Sequence, residues 1–204
     1  VSDARTVWAA PLRRPTAGKV VRVMMKHGIE PLVFSDAYDS GVDFVIASGK
    51  PLRPGTREFT GIHRNAWRAG SFADVPRGAG IVEVGAFDDT DRLEAAYGEI
   101  EATWGDRLNY HIIKSPNYSF YCVEVISGRA GKGNALLALA GKLGIRRGET
   151  AAVGDDVNDI DMISKAGVGI AMGNAADAIK AKAHFVVAPN SRDGLAEAVE
   201  RLLA

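Results

Sequence analysis

Thr150-Ala151-Ala152-Val153-Gly154-Asp155-Asp156-Val157-Asn158-Asp159 decides the reading of this chain. A short apolar run of the kind that forms a buried strand ends on a glycine, and three carboxylates and an amide follow at once, ahead of a segment of helical character. Such groups build no hydrophobic core, but at the carboxyl end of a parallel strand, where open α/β sheets bind ligands, they present hard oxygen donors. Mg²⁺ prefers oxygen ligands, takes few of them from protein and bridges a carboxylate to a substrate phosphate. The stretch therefore points to magnesium-assisted phosphoryl transfer, with Asp155 as metal ligand. If the backbone turns helical beyond it, Asp155, Asn158 and Asp159 share one face. Asn158 would then donate to a phosphate oxygen, and Asp159 would support the metal. Helix capping, with Asn158 as N-cap and Asp159 and Asp161 at the positive helix end, accounts for Asn158 and Asp161 but leaves Asp155-Asp156 unexplained.

Lys132 lies in Gly128-Arg129-Ala130-Gly131-Lys132-Gly133-Asn134, directly before a helix whose apolar face is Leu136, Leu139, Ala140 and Leu143. A cation at a helix N-terminus is disfavoured by ~0.3–1 kcal/mol unless an anion sits beside it. The flanking glycines would let backbone amides approach that anion. Phosphate is the expected partner, although a solvated lysine in a loop explains this segment alone equally well.

Strand and helix signals alternate over most of the chain, which favours an α/β architecture. Thr6 to Leu12 reads as a strand. Pro15 opens a helix with Ala17, Val20, Val21 and Met24 on one face, ending near Gly28. Pro31–Phe34, Asp43–Ala47 and Gly80–Phe87 read as strands. A short helix is expected around Ile62 to Trp67. A longer one carries Leu93, Ala96, Tyr97, Ile100 and Trp104, with Asp88-Asp89-Thr90-Asp91 as its capping cluster. Leu108–Lys114 and Tyr118–Ile126 form an expected antiparallel pair joined by a turn at Ser115-Pro116-Asn117. After Ser127, strands at Thr150–Val153, Val168–Met172 and Phe185–Ala188 alternate with helices starting near Gly133, Asn158, Ala175 and Ser191, the pattern of a doubly wound parallel sheet. The boundary is expected near Ser127 to Ala130, giving domains of residues 1–126 and 127–204.

Twenty-five Lys plus Arg balance 25 Asp plus Glu, so the sequence carries no basic footprint for nucleic acid or anionic membrane. No run approaches the ~18 apolar residues of a membrane span, and no signal peptide is evident. A soluble, cytoplasmic protein is expected. The single Cys122 lies in an apolar strand and reads as a buried thiol. His27, His63, His111 and His184 lack metal-ligand spacing. Glu124, within an apolar strand, suits an exposed strand face as well as a site, and Trp8, Trp67 and Trp104 are dispersed.

The motifs resemble the haloacid-dehalogenase-like (HAD) phosphohydrolase superfamily, and within it the Cof-type phosphatases with a large α/β cap. The resemblance is carried by Gly131-Lys132-Gly133-Asn134-Ala135-Leu136, by Gly154-Asp155-Asp156-Val157-Asn158-Asp159-Ile160-Asp161-Met162, by Ala166-Gly167-Val168-Gly169-Ile170-Ala171-Met172-Gly173-Asn174-Ala175 and by Asp193-Gly194. It implies a partial doubly wound, Rossmann-like core over 127–204 plus an α+β cap over 1–126 that shapes the leaving-group pocket. It further implies that Lys132 holds the phosphoryl group, Asp155 binds Mg²⁺, Asn158 contacts phosphate and Asp159 supports the metal site. The implied substrates are small phosphomonoesters such as sugar phosphates.

The family's Asp-x-Asp motif, whose first carboxylate attacks phosphorus, and its Ser/Thr motif have no counterpart in this sequence, which begins with Val1. The expectation is a C-terminal portion of a longer phosphatase whose nucleophile lies outside the chain and which turns over little alone. If the remainder is truly absent, a core sheet without its central strand would keep an unpaired edge, and aggregation, dimerisation through that edge or local disorder would follow. Two rival readings remain: a fragment that binds phosphorylated ligands or a partner without turnover, and a P-type ATPase phosphorylation domain, against which the lack of a membrane span argues.

Overall fold

The computed structural model describes residues 6–37, 41–49, 51–63, 67–114 and 117–204. The chain divides into two compact units, one of Ala10–Arg129 and the other of Ala130–Ala204 together with the stretch leading up to Ala9.

The first unit is built on a six-stranded mixed sheet in the order β3-β2-β1-β4-β6-β5, with β1 Leu32–Ser35, β2 Phe44–Ile46, β3 Trp67–Ala69, β4 Ile81–Asp88, β5 Leu108–Ile113 and β6 Tyr121–Ser127. Only β2 and β3 run parallel; the other neighbours are antiparallel. Period-two alternation sends Val33, Val45, Val84, Ala86, Val123 and Val125 to one face. There they meet Ala17, Val20, Val21 and Met24 of α1 (Arg14–Lys26) and Leu93, Ala96 and Ile100 of α3 (Thr90–Trp104). Those helical spacings make one apolar stripe per helix. The opposite face carries Leu32, Phe44, Ile46 and Phe87, packed by Phe59 of α2 (Pro54–Ile62).

Several expectations are corrected here. Thr6 to Leu12 is not a strand; Leu12 alone makes a bridge, to Ile81. Of the helix expected around Ile62 to Trp67, residues 64–66 lie outside the described residues; the described helix is Pro54–Ile62, and Trp67 starts β3. Asp88 is no cap: it is buried, with Arg53 Nε at 2.9 Å and Arg92 Nη1 at 3.6 Å, and the N-cap Asp89 makes no side-chain cap bond. The paired strands before and after residue 115 do form as β5 and β6, but Ser115 and Pro116 of the expected turn lie outside the described residues.

The second unit holds a three-stranded parallel sheet, β7 Ala151–Gly154, β8 Val168–Ala171 and β9 Phe185–Val186, in sequential order. α4 (Lys132–Lys142) precedes it, α5 (Ile160–Lys165) and α6 (Asp177–Lys180) cross over between its strands, and α7 (Gly194–Leu203) closes the chain. Ile163, Ala171, Ala175 and Ile179 fill one side of this sheet, and Ile170, Met172, Val187 and Ala198 the other. Both faces are therefore covered, the condition under which parallel strands form. The helix expected near Ala175 starts at Asp177, and the one expected near Ser191 starts at Gly194, after a single turn at Asn190–Arg192.

Candidate functional site

β7 ends at Gly154, and the chain leaves the sheet as a tight turn, Val157–Asp159, that runs into α5. Asp156 is the N-cap of that turn, accepting from the Val157 amide at 2.6 Å, and Asp159 accepts in return from the Asp156 amide at 3.2 Å. This reciprocal arrangement is a capping box. The capping that is the alternative explanation for Asn158 therefore falls on Asp156 and Asp159, which leaves the Asn158 side chain for other work.

Asp159 is the hub of the site. Its side chain is buried; Oδ2 accepts from the Asp155 amide at 3.0 Å as well as from Asp156, and Oδ1 receives the Lys132 ammonium at 2.5 Å. Burial alone would raise its pKa, but the Lys132 ammonium and the two backbone amides outweigh it and hold the carboxyl below the usual range. Lys132, the first residue of α4, also donates to Asn158 Oδ1 at 3.1 Å. Lys132, Asn158 and Asp159 are thus in one hydrogen-bonded group, and Asp155 joins it through its backbone.

Gly154 makes this possible. A Cβ there would lie 2.4 Å from Asp159 Cβ and 2.7 Å from its carboxylate, so only glycine lets the strand end meet the buried acid.

The Asp155 side chain is exposed at the strand tip. Its Oδ2 accepts from Asn174 Nδ2 at 2.7 Å, and Asn174 Oδ1 accepts from the Asn190 amide at 2.9 Å. Asn174 lies beyond β8, and sequence reasoning gave it no role of its own. A cavity of about 650 Å³ opens beside Asp155 and Asp159 and is walled by Val153, Met172, Leu195 and Val199. Asp161, considered only as a charge at a helix end, instead accepts from the Gly133 amide at 3.0 Å and pairs with Lys165 at 2.6 Å, which fastens α5 to the start of α4.

Among the described residues no group of three or more His, Cys, Asp or Glu could hold a metal ion. Asp159 has three of its acceptor positions used by Lys132 and the amides, whereas Asp155 Oδ1 has no bond among the described residues. One outward carboxylate suits Mg²⁺, which takes one or two protein carboxylates and completes its shell with water and phosphate oxygens. It does not suit Zn²⁺ or Ca²⁺, which require fuller protein shells.

Residues 73–199 match the haloacid dehalogenase-like hydrolase family. The chain belongs to that family. Among curated relatives, phosphatase YwpJ of Bacillus subtilis is 44% identical over 113 residues, covering 55% of this chain and 37% of YwpJ. The 5-amino-6-(5-phospho-D-ribitylamino)uracil phosphatase YwtE of the same organism is 33% identical over 116 residues, 57% of this chain and 38% of YwtE. The matches thus span less than half the length of these relatives. The HAD subclass IIB sugar phosphatase BT4131 shares the fold, with a TM-score of 0.73 at 20% identity over 96% of this chain and 69% of that structure. A haloacid dehalogenase-like hydrolase from Bacteroides thetaiotaomicron gives 0.69 at 24% identity, over 94% and 68%.

Three of the four histidines have hydrogen-bond partners of their own. His27 meets Glu99 at 2.8 Å, His63 meets the Tyr118 hydroxyl at 2.8 Å, and His184 Nδ1 accepts from the Gly169 amide. Among the described residues no helix is long and apolar enough to cross a membrane.

Proposed function

We propose that the chain is part of a Mg²⁺-dependent phosphatase that hydrolyses phosphomonoesters of small metabolites, sugar phosphates among them, in the cytoplasm. Residues 127–204 are read as the C-terminal half of its catalytic core and residues 1–126 as the cap that discriminates substrates. The observation that carries this reading is that the Lys132 ammonium and the Asp155 amide bond to the two oxygens of one buried carboxylate, Asp159. A cation and an outward acid are thereby tied to the same turn, as recognition of a metal-bound phosphate requires.

In this reading Lys132 neutralises charge on the transferring phosphoryl oxygens. Asp159 holds that ammonium in position. Asn158, whose Oδ1 is taken by Lys132, has its Nδ2 to donate to a phosphate oxygen. Asp155 would hold Mg²⁺ through Oδ1 while Asn174 fixes Oδ2; the ion would supply charge neutralisation beyond what one lysine gives. Asp159 acts on the metal indirectly, by fixing the backbone of Asp155. The attacking carboxylate comes from outside this sequence. The β7 edge of the parallel sheet is where a further strand, from the same protein or a second copy, would pair.

The test is hydrolysis of a panel of phosphomonoesters, p-nitrophenyl phosphate included, by the naturally occurring protein with and without Mg²⁺, beside Asp155→Ala. The expected result is Mg²⁺-dependent turnover that the substitution removes while the melting temperature holds. Turnover untouched by the substitution overturns the metal assignment, and no turnover of any ester by the natural protein overturns the enzyme reading.

A further inference from the structure

The first unit contains a cavity of about 560 Å³ at the start of α1 and the ends of α3 and β6. Its volume is that of a small-metabolite site. Arg13, Lys19, Arg107 and Arg129 line it, against a single carboxylate, Asp106, in a chain whose cations and anions balance 25 to 25 overall. Four like charges around one hollow repel each other, and an anion seated among them relieves that repulsion.

Asp106 is the one carboxylate in that lining and cannot offset all of these cations. Among the described residues Arg13, Lys19 and Arg107 have no carboxylate at ion-pair distance, whereas Lys26, Arg53, Arg92, Lys132 and Lys165 each do. Arg107 is nonetheless held in place, its guanidinium donating to the Thr103 and Trp104 carbonyls at the end of α3. Arg14, next to Arg13, turns away to the carbonyls of Phe72, Val75 and Pro76 and is satisfied there. α1 starts without an acidic residue in its first turn and without a capping side chain, so its positive end adds to the cations rather than offsetting them. Thr16, in that first turn, lines the cavity; its amide donates to the Arg13 carbonyl, and its hydroxyl has no hydrogen bond among the described residues. Trp104 and Leu108 give it an apolar wall.

We propose that this cavity is a second anion site, which takes a small organic polyanion bearing two or more phosphate or carboxylate groups. Arg13, Lys19, Arg107 and Arg129 meet the charges, the Thr16 hydroxyl donates to one of them, and the Trp104 wall receives the uncharged part. Pro11 to Arg13 and Ser127 to Arg129, which border the two points where the chain passes between units, both line the cavity. An occupant therefore bonds to both connections and stiffens them.

Calorimetric titration with inorganic pyrophosphate, citrate and inorganic phosphate tests this, run on the Lys132→Ala variant so that the other phosphate-binding group is not counted. The expected result is binding of pyrophosphate and citrate that weakens as salt rises, is at least ~10-fold weaker in Arg13→Glu/Lys19→Glu, and exceeds that of inorganic phosphate. Hydrogen exchange should slow at Leu12, Arg13 and Ser127 to Arg129 on pyrophosphate addition. Should the double reversal lower the melting temperature, Lys19→Gln and Arg129→Gln, both exposed positions, must each still weaken binding. Absence of pyrophosphate and citrate binding, indifference to these substitutions, equal affinity for inorganic phosphate, or protection confined to other segments overturns the proposal.

Discussion

Lys132 and Asp155 are bonded to opposite oxygens of one buried acid: the ammonium of the first lies 2.5 Å from Asp159 Oδ1, and the amide of the second lies 3.0 Å from Oδ2. The two residues come from separate elements, the start of α4 and the tip of β7. Asp159 therefore works as a spacer that sets where a cation stands relative to the end of a strand.

That role makes Asp159 a matter of stability as well as of chemistry. Asp159→Asn keeps the shape but turns one acceptor into a donor facing either Lys132 or two amides, and should cost about 1–3 kcal/mol in urea denaturation at pH 7. Because the folded carboxyl is held below its ordinary value, the unfolded chain binds the proton first as pH falls. The stabilisation is present above the unfolded pKa of about 4 and is lost as pH drops through the lower folded value. The difference between wild type and Asp159→Asn should therefore shrink in acid. A difference as large at pH 3 as at pH 7 would reject the ionised hub.

Asn174 is expected to tune the metal ligand without touching phosphate. Asn174→Ala frees Asp155 Oδ2 from its 2.7 Å bond, and loss of such an outer contact lowers metal affinity by ~10–100-fold. The Mg²⁺ concentration giving half-maximal activity should rise accordingly, while the rate at saturating Mg²⁺ changes less. Lys132→Ala should do the reverse, lowering kcat by ~10²-fold or more with little change in Mg²⁺ requirement. If both variants moved the same parameter, the separate roles would be wrong.

How much of this could be read in advance depends on what each residue rests against. The strands of the parallel sheet were legible within a residue or two, because buried strands in such sheets are unbroken apolar runs bounded by small residues. Lys132, Asp155, Asn158 and Asp159 were legible as polar groups with no place in a core. Thr6 to Leu12 misled because its apolar residues mimic a strand that lacks a partner to pair with. α2 was missed for the opposite reason: its buried residues are Gly55, Thr56 and Thr60, and Phe59 alone packs beside them on the sheet, which makes no apolar stripe. Gly55 is needed there because a Cβ would meet the Phe87 carbonyl oxygen at 2.5 Å. Asn174 was silent because its partner, Asp155, is 19 positions away, and no local pattern encodes such a contact.

Gly154→Ala tests the same hub from the backbone side. The added methyl would fall 2.4 Å from Asp159 Cβ, far inside contact distance, so either the strand end or the acid must move. Overpacking of this kind costs about 1–3 kcal/mol, and displacement of Asp159 should also reduce activity even where the protein remains folded. An active, equally stable Gly154→Ala variant would show that the strand tip yields freely and that Asp159 is not fixed by it.

Glu83 provides a test in the first unit that is independent of the candidate site. It sits on β4 beside Gly85, which pairs in register with Glu124 of β6, and a Cβ on Gly85 would meet Glu83 Oε1 at 2.6 Å and the Phe34 ring at 3.4 Å. Among the described residues it has no hydrogen-bond or ion-pair partner. Burial, with a smaller contribution from the nearby Glu124 charge, pushes its pKa up to about 8 from an ordinary 4.5. The folded state therefore keeps a proton that the unfolded chain has released. Stability from this group is full below the unfolded pKa and is lost as pH rises toward 8. Glu83→Gln mimics the protonated form at every pH, so it should leave stability unchanged near pH 4 and raise it by about 1 kcal/mol or more at pH 8. Denaturation midpoints at the two pH values decide the matter: a variant with the same pH dependence as wild type would mean that Glu83 is ionised and solvated in the folded protein, and that the sheet face bearing it is open to water.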